Sequence, residues 1–372
     1  MLAILKNKNL LINVSWIALA ILFIFGGLGD VTVAITFIGV LLSYALIYFL
    51  YLSRVKILLP KGLFSYTIFL VFFLISLIWS RVQTTSLIYF FMFLAGGLFW
   101  IFFYNFKGKT FLKMPYFDSM VVFLGLSFGT VTIYNLITKS TDFNPAGLTN
   151  YTFSNLNHHN IGDLWAAILG PLIFIFFKKS NNSFMTALLI VLGVFFLAIS
   201  FSRSAYLSSI VGILYIMSEI NMSRFIKNIS YLFILLMSAM FMLSSMGKGL
   251  ISHRLFFLSG FIDAFKQPFG VGIGAFGVAL QSDQVLLNTF QYSNIAHNLL
   301  LDVVVGLGIL SFPFLYWFYK IIKNFLQNTN SATVIYKLFF LILSVNFMFN
   351  YTYVIPVILW LWFASLGLWQ SE

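Results

Sequence analysis

Long apolar runs separated by short polar segments fill most of the chain. An apolar run of about 18 or more residues with few charges is typical of a transmembrane helix. The pattern predicts an all-α polytopic fold of twelve transmembrane helices, with the rough extents 10–29, 31–52, 64–80, 86–105, 117–138, 160–177, 184–201, 203–220, 229–246, 296–319, 335–351 and 353–370. The polar breaks at Arg203 and near Tyr351 are short, so each flanking pair of helices could be mistaken for one.

Two connections are much longer than the others, roughly 139–159 and 247–295. Long connections in a compact protein are usually functional or disordered. The second contains the apolar pieces LFFLSGFIDAF and PFGVGIGAFGVAL, which are too short to span a bilayer. We expect these pieces to form short re-entrant or interfacial helices in an outer catalytic loop. No internal repeat or soluble domain interrupts the pattern, which indicates a single transmembrane domain over 1–372.

The composition supports a membrane protein. The chain is 61% hydrophobic and 8% charged, whereas a soluble domain carries about 25% charged residues. The net charge of +12 does not require a nucleic-acid partner, because fifteen of the 21 lysines and arginines fall in the predicted inner loops. This asymmetry follows the positive-inside rule and predicts that both termini are cytoplasmic. The absence of cysteine excludes disulfides and cysteine catalysis.

Polar residues in a membrane chain are costly and are candidates for function. They form four clusters, all on the predicted outer side: NYTFSNLNHHNIGD (150–163), FSRSAYL (201–207), SHRLFFLSGFIDAFKQPFGVGIGAFG (252–277) and NIAHNLLLD (294–302). All four histidines also fall on this side: His158, His159, His253 and His297. Any chemistry is therefore expected at the outer membrane surface.

Two arginines and one histidine in these clusters suit the binding and transfer of an anionic group. Arg203 opens a predicted helix after a Phe-Ser turn, where backbone N–H groups also favour an anion. Arg254 lies where the second long loop becomes apolar. A guanidinium stays protonated and its fork matches phosphate oxygens, so both arginines suit a pyrophosphate at the lipid–water boundary. His297 lies at the start of a predicted helix, whose dipole favours a neutral imidazole that can act as a general base.

Each of these residues also has a structural interpretation. Arg203 could be an interfacial anchor whose charge reaches the lipid headgroups, and Arg254 could be a headgroup contact. His297 could cap or pack its helix. His158 and His159 are expected to be solvated loop residues. No His-x-x-x-His or carboxylate pairing indicates a zinc site.

Two acidic residues and one glycine-rich run leave further alternatives. Asp163 and Asp302 lie near the predicted outer surface, and they either orient Asn160 and Asn298 or face the bundle interior. The run VGIGAFG resembles a nucleotide-binding loop but follows no predicted strand. We interpret it as a tight re-entrant turn after Pro268.

Three segments together resemble the O-antigen ligase and O-antigen polymerase superfamily of bacterial membrane glycosyltransferases. FSRSAYLSSIVG is similar to the family's Ser-Arg motif, with Ser204 where the family often has glycine or threonine. HRLFFLSGFIDAFKQPFGVGIGAFG is similar to its long outer loop, and AHNLLLDVVVGLGILSF to its His-Asn motif. FSNLNHHNIGDLWAAILGPL resembles the family's Asn-containing segment, with Asn160 in the Asn position. The resemblance covers roughly residues 147–313.

The resemblance implies an activity and roles for these residues. The family transfers a glycan from undecaprenyl pyrophosphate to a hydroxyl of a glycolipid or glycan acceptor, at the outer face of the bacterial cytoplasmic membrane. Arg203 and Arg254 would bind the pyrophosphate, and His297 would take the proton of the acceptor hydroxyl. The transfer would proceed by inversion at the anomeric carbon, without a metal, nucleotide sugar or other cofactor. The supporting residues would be Asn298, which would fix the tautomer of His297, together with Asn160, Ser202, Gly272 and Gly274.

Rival functions remain open at the level of the sequence. The shared motifs do not separate a ligase, which delivers a finished glycan to lipid A core, from a polymerase, which extends a lipid-linked glycan. The Pro-Phe-Gly-Val-Gly-x-Gly run favours the ligase, and a transferase for capsule, exopolysaccharide or protein glycans is a third alternative. A lipid or glycan transporter would have many helices too, but midplane polar sites and internal repeats are typical of transporters. The polar residues here gather at one predicted face instead.

Overall fold

The computed structural model describes residues 32–52, 56–105, 158–178, 184–219, 266–279, 296–327 and 333–371, with isolated positions between 121 and 133 and at 228 and 262. Within these residues the fold is helical, and none of them forms a β-strand. The predicted spans 10–29 and 229–246, and most of 117–138, lie outside the described residues. The all-α prediction is confirmed for the described part of the chain, whereas the number of twelve spans stays a prediction.

The helices are numbered in chain order over the described residues. They are α1 Thr32–Leu52, α2 Leu63–Ser76, α3 Gln83–Tyr104, α4 His158–Lys178, α5 Phe184–Ile199, α6 Arg203–Glu219, α7 Phe276–Ala279, α8 Leu299–Leu307, α9 Phe312–Gln327, α10 Val334–Phe349 and α11 Pro356–Gln370. Short 3-10 helices separate α8 from α9, at Gly308–Ser311, and α10 from α11, at Thr352–Val354.

Several of these helices have the length and composition of membrane spans. Among the described residues, four segments are long and apolar enough to cross a membrane: Val33–Leu52, Gln83–Tyr104, His159–Phe177 and Leu299–Gln327. Four shorter apolar helices accompany them, α2, α5, α10 and α11. The predicted breaks are confirmed as well, because α5 and α6 are separate helices, and so are α10 and α11.

The helix predicted over 296–319 differs from the structure in two ways. It is interrupted after Leu307 by the 3-10 turn at Gly308, where φ is 56°. The N–H of Ile309 donates to the carbonyl of Pro268, 2.8 Å away, in the loop 247–295 that is predicted to lie outside. The helix then resumes as α9 and continues to Gln327, eight residues beyond the predicted end, because Ile321 and Phe325 are buried one turn apart on its inner face.

Among the described residues, four lysines predicted to lie in inner loops belong to helices, one of them Lys178 as the last residue of α4. Lys320 and Lys323 lie on the exposed face of α9, opposite its buried positions Phe314, Trp317, Ile321 and Phe325. Lys337 lies in α10 and is only 1% exposed. Its ammonium nitrogen is 6.0 Å from the centre of the Phe325 ring, a distance at which a cation and an aromatic face attract each other.

Helix α11 forms the centre of the described bundle. Its residues from Pro356 to Trp369 are all buried, as expected of a helix that is apolar on every side. It packs against α1, α3 and α10. Small residues on its neighbours allow a close approach, since Gly39 of α1 faces the ring of Trp360 and Gly96 of α3 faces the ring of Phe363.

A second group of helices, α4, α5, α6 and α10, pack on one another beside this centre. The starts of α4 and α6 meet the connection between α10 and α11 through hydrogen bonds of Asp163, Ser204 and Asn350. The start of α8 meets the end of α10 through a hydrogen bond from Asn298 to Met348. We call this region, where the first turns of α4, α6 and α8 meet the α10–α11 connection, the site end of the bundle.

Candidate functional site

The Ser-Arg segment forms a strained turn that begins α6. Phe201 has a φ of 48°, a left-handed conformation that is uncommon for residues other than glycine. The Ser202 hydroxyl accepts a hydrogen bond from the N–H of Ala205 at 3.3 Å, which is the usual arrangement of a helix N-cap. Ser202 and Ser204 are buried on either side of Arg203, which is half-buried. The sequence prediction that Arg203 opens a helix after a Phe-Ser turn is confirmed.

A buried carboxyl group of α4 lies against this turn. Asp163 Oδ1 accepts hydrogen bonds from the hydroxyls of Ser202, at 3.1 Å, and Ser204, at 2.7 Å. From the sequence, the start of α6 is expected to attract the pyrophosphate of a substrate. The acidic group that the structure brings to this helix start is Asp163 of the same chain, which is favourable for the helix dipole.

The other carboxyl oxygen of Asp163 binds the connection between α10 and α11. Asp163 Oδ2 accepts from the amide of Asn350 at 2.6 Å and from the hydroxyl of Thr352 at 3.4 Å. The amide of Asn346 donates to the backbone carbonyl of Asp163 at 3.0 Å. Asp163 is 1% exposed. Of the alternatives for this residue, the structure therefore favours an aspartate that faces the bundle interior.

Asn160, predicted as a supporting residue, joins the same network. Its amide oxygen accepts from the Asn350 amide at 3.4 Å, and its side chain is fully buried. It lies one helical turn before Asp163 on the same helix. The structure thus brings Asn160 and Ser202 together around Asp163, in the interior of the bundle.

His297 lies in a second strained turn, immediately before α8. Its φ is 49°, and its ring is half-buried. The ring packs edge-on against Tyr351, with 4.5 Å between the ring centres and an interplanar angle of 82°. The predicted position of His297 at the start of a helix is confirmed. The aromatic contact comes from the α10–α11 connection, which is also the segment that binds Asp163.

Asn298 fixes the start of α8. Its side-chain oxygen accepts from the N–H of Leu301 at 3.0 Å, and its amide donates to the carbonyl of Met348 at 3.0 Å. It is therefore an N-cap that joins α8 to the last turn of α10. These bonds give Asn298 a positioning role at the site end. The predicted effect of Asn298 on the tautomer of His297 stays a prediction.

A second buried carboxyl group holds the turn that contains His297. Asp302 Oδ1 accepts from the N–H of Ala296 at 2.8 Å, and the phenol of Tyr353 donates to Asp302 Oδ2. Asp302 is 2% exposed. Asp302 therefore faces the interior and ties Ala296 to the α10–α11 connection.

The glycine-rich run forms a tight turn, as predicted, and the turn is wedged between α8 and the start of α3. Gly272 and Gly274 have φ values of 99° and 82°, which favour glycine. The N–H of Gly272 donates to the carbonyl of Gly306 at 2.8 Å, and the N–H of Val271 donates to that of Val305 at 3.2 Å. The N–H groups of Val271 and Gly272 are therefore engaged by the protein itself and are not open to a phosphate group. Gly272 and Gly274 allow the turn to pack closely against α8 and the start of α3.

Some predicted residues lie beyond what the structure describes. Arg254, His253 and most of the 247–295 loop are among them, as is the side chain of His158. Within the loop, the described helix is the four-residue α7, so the predicted helix over LFFLSGFIDAF remains untested. His159 lies half-buried in the first turn of α4. Among the described residues, no group of three or more His, Cys, Asp or Glu side chains could hold a metal ion.

The α10–α11 connection is the part of the site that the sequence analysis missed. Its residues alternate in their contacts: Asn350 and Thr352 bind Asp163, whereas Tyr351 and Tyr353 contact His297 and Asp302. The sequence carried one signal, the polar run NYTY between two apolar helices. That run was interpreted as a helix boundary, although polar groups at membrane depth are also functional candidates.

The site end combines the half-buried side chains of Arg203 and His297 with the buried carboxyl groups of Asp163 and Asp302. The carboxyl groups bind neutral donors, namely hydroxyl, amide and phenol groups and a backbone N–H. The arrangement can bind an anionic group at Arg203 and exchange a proton at His297. No family model matches the chain, and no curated protein or solved structure gives a significant match.

Proposed function

We propose that this chain is a membrane glycosyltransferase that moves a glycan from undecaprenyl pyrophosphate to an acceptor hydroxyl, in the manner of an O-antigen ligase. One observation carries the proposal: the 350–353 connection contacts His297 directly and is joined to the turn of Arg203 through the carboxyl group of Asp163. A cation for pyrophosphate and a base for a hydroxyl are thus tied to one segment at one end of the bundle. The sequence resemblance supplies the class of donor and acceptor.

In the proposed reaction, the acceptor oxygen attacks the anomeric carbon from the side opposite the pyrophosphate. The bond between that carbon and the pyrophosphate oxygen breaks, and undecaprenyl pyrophosphate leaves with the bonding electron pair. His297 takes the proton of the acceptor hydroxyl. Arg203 stabilises the negative charge on the leaving group, together with Arg254, whose role rests on the resemblance. A single displacement of this kind inverts the anomeric configuration.

The proposal includes a location and a topology. The protein would lie in the bacterial cytoplasmic membrane with twelve spans, both termini cytoplasmic and the site end at the outer face, where lipid-linked glycans are used by this family. The four long apolar segments and the excess of basic residues in the predicted inner loops support this arrangement.

A reconstituted transfer assay tests the function and separates its alternatives. Purified protein is mixed with a synthetic undecaprenyl-pyrophosphate glycan and either a lipid A core acceptor or further donor, and the products are resolved by gel and mass spectrometry. Glycan on the lipid A core would identify a ligase, and a ladder of repeat units on undecaprenyl pyrophosphate would identify a polymerase. Movement of the lipid-linked glycan across a reconstituted bilayer, without either product, would favour a transporter and overturn the proposal.

The assay needs a matched variant that removes the proposed base. His297→Ala is expected to abolish transfer while the protein still inserts and elutes as a single species from size-exclusion chromatography. Normal transfer by this variant would show that His297 is not the base.

A further inference from the structure

We infer that Asp163 is a positioning residue that fixes Arg203 and His297 relative to each other. The inference rests on the proposed function, because it assigns those two residues to the donor and the acceptor. Asp163 itself would contact neither substrate. It would act through the two segments that its carboxyl oxygens bind.

The two oxygens of this carboxyl group serve different segments. Oδ1 binds the turn that begins α6, through Ser202 and Ser204. Oδ2 binds the α10–α11 connection, through Asn350 and Thr352. One rigid planar group thus sets the separation of two segments whose sequence positions differ by more than a hundred residues.

In both segments the carboxyl group binds the residues on either side of a functional one. Ser202 and Ser204 flank Arg203. Asn350 and Thr352 flank Tyr351, whose ring packs against His297 at 4.5 Å. The hydrogen bonds therefore hold the backbone at Arg203 and at Tyr351, while the side chains of these two residues are left to make other contacts.

Burial makes the loss of any of these hydrogen bonds energetically costly. Asp163 and its four donors are each at most 5% exposed. A buried polar group that loses its partner is not compensated by water, so the loss of one bond carries the full cost of desolvation. When a bond is lost, we expect the turn of α6 or the α10–α11 connection to shift until its polar groups find other partners. A shift of about 1 Å at a catalytic group can lower a rate by about 100-fold.

The geometry predicts that substitutions can disturb the bonds of Oδ1, on the Arg203 side, and the bonds of Oδ2, on the His297 side, independently of each other. Ser204→Ala removes a bond on the Arg203 side, so the KM for the lipid-linked donor should rise and kcat should fall, because Arg203 both binds the pyrophosphate and stabilises it as the leaving group. Thr352→Val removes a bond on the His297 side, so kcat should fall while the donor KM stays near that of the parent. Asp163→Asn weakens both sides and should change both constants, with kcat/KM lower by about 100-fold.

A matched control and a rescue variant address a purely structural role. Ser208 is also buried in α6, but its hydroxyl bonds to the carbonyl of Ala205, at 3.1 Å, within its own helix. Ser208→Ala should therefore change neither constant. The double variant Asp163→Asn with Asn350→Asp restores the bond between these positions in reversed polarity. It should recover part of the activity that Asp163→Asn loses.

A second measurement does not depend on the activity. The imidazole resonance of His297 is recorded in ¹⁵N-histidine-labelled protein in lipid nanodiscs and assigned with His297→Gln. Asp163→Asn and Thr352→Val should move this resonance, whereas Ser208→Ala should leave it in place. If the resonance moves as expected but the parent transfers no glycan, the proposed function fails and the positioning role stands.

Two results would overturn the inference. One is an unmoved His297 resonance in Asp163→Asn protein that is folded and monodisperse. The other is an equal loss of kcat in the Ser204→Ala, Thr352→Val and Ser208→Ala variants, which would indicate a general loss of stability. If Asp163→Asn does not fold, the single-sided variants Ser204→Ala and Thr352→Val carry the test.

Discussion

Arg203 lies between two serines that are held by one carboxyl group, so its backbone is fixed; in the proposed function its guanidinium binds the pyrophosphate. Arg203→Lys keeps the positive charge but loses the planar fork that matches phosphate oxygens. We expect kcat/KM for the lipid-linked donor to fall by about 100-fold, measured from initial rates over a range of donor concentrations. Lys320→Arg, on the exposed face of α9, serves as the control and should transfer normally. An unchanged donor KM in Arg203→Lys would argue that another group binds the pyrophosphate.

Tyr353 gives a prediction about stability at the same scale. Its phenol donates to Asp302, and both residues are buried. Tyr353→Phe keeps the ring but leaves a buried carboxyl oxygen without this donor, which should destabilise the fold by on the order of 1–3 kcal/mol. Thermal unfolding in detergent, followed by tryptophan fluorescence, measures the change. Tyr206→Phe is the matched control, because the phenol of Tyr206 bonds to the Ala198 carbonyl at an exposed position and should cost much less. Equal shifts in the two variants would contradict the importance of the buried bond.

The turn around Gly272 supplies a prediction at the scale of an element. A Cβ at this position would collide with the side chain of Ser80, and φ is 99°, a conformation that strains other residues. Gly272→Ala should destabilise the protein by on the order of 2 kcal/mol or more and loosen the glycine-rich turn from α8. Gly129→Ala is the control, since a Cβ there would meet the ring of Trp165 at an ordinary 3.6 Å. A similar melting temperature for both variants would show that the turn tolerates a side chain.

Most helices could be predicted from the sequence because each is a local apolar run, and local runs need no information from the rest of the chain. The bounds of α1, α4, α5 and α6 fall within two residues of the prediction. The break at Gly308 could not be predicted in the same way. It is stabilised by a hydrogen bond between Ile309 and Pro268, and the pattern around Gly308 alone reads as a continuous apolar helix.

The candidate site was predictable to the extent that single residue types reveal chemistry. An arginine at a helix start and a histidine at a membrane helix stand out because such residues are costly there. The role of Asp163 could not be decided from sequence, since its hydrogen-bond partners lie 39 to 189 residues away along the chain. The alternation of contacts along 350–353 likewise depends on the backbone conformation of the connection between α10 and α11. The hydropathy pattern does not determine that conformation.

At the scale of the whole molecule, segments predicted to share one side of the membrane contact each other. The N–H of Arg81 donates to the carbonyl of Val271 at 3.0 Å, and both residues belong to predicted outer connections. The amide of Asn105, at the inner end of the predicted span 86–105, donates at 2.8 Å to the carbonyl of Leu58, which belongs to a predicted inner connection. These pairings fit the alternation of the predicted spans, and they leave one question for experiment, namely which end of the bundle faces the cytoplasm.

The orientation can be tested directly because the chain contains no cysteine. Lys266 and Lys56 are both exposed, the first beside the glycine-rich turn and the second between α1 and α2. A membrane-impermeant maleimide should label Lys266→Cys in intact spheroplasts, and it should label Lys56→Cys only after the membrane is permeabilised. The cysteine-free parent controls for background labelling. Reversed labelling would put Arg203 and His297 at the cytoplasmic face, where the proposed use of a lipid-linked glycan from the outer leaflet could not occur.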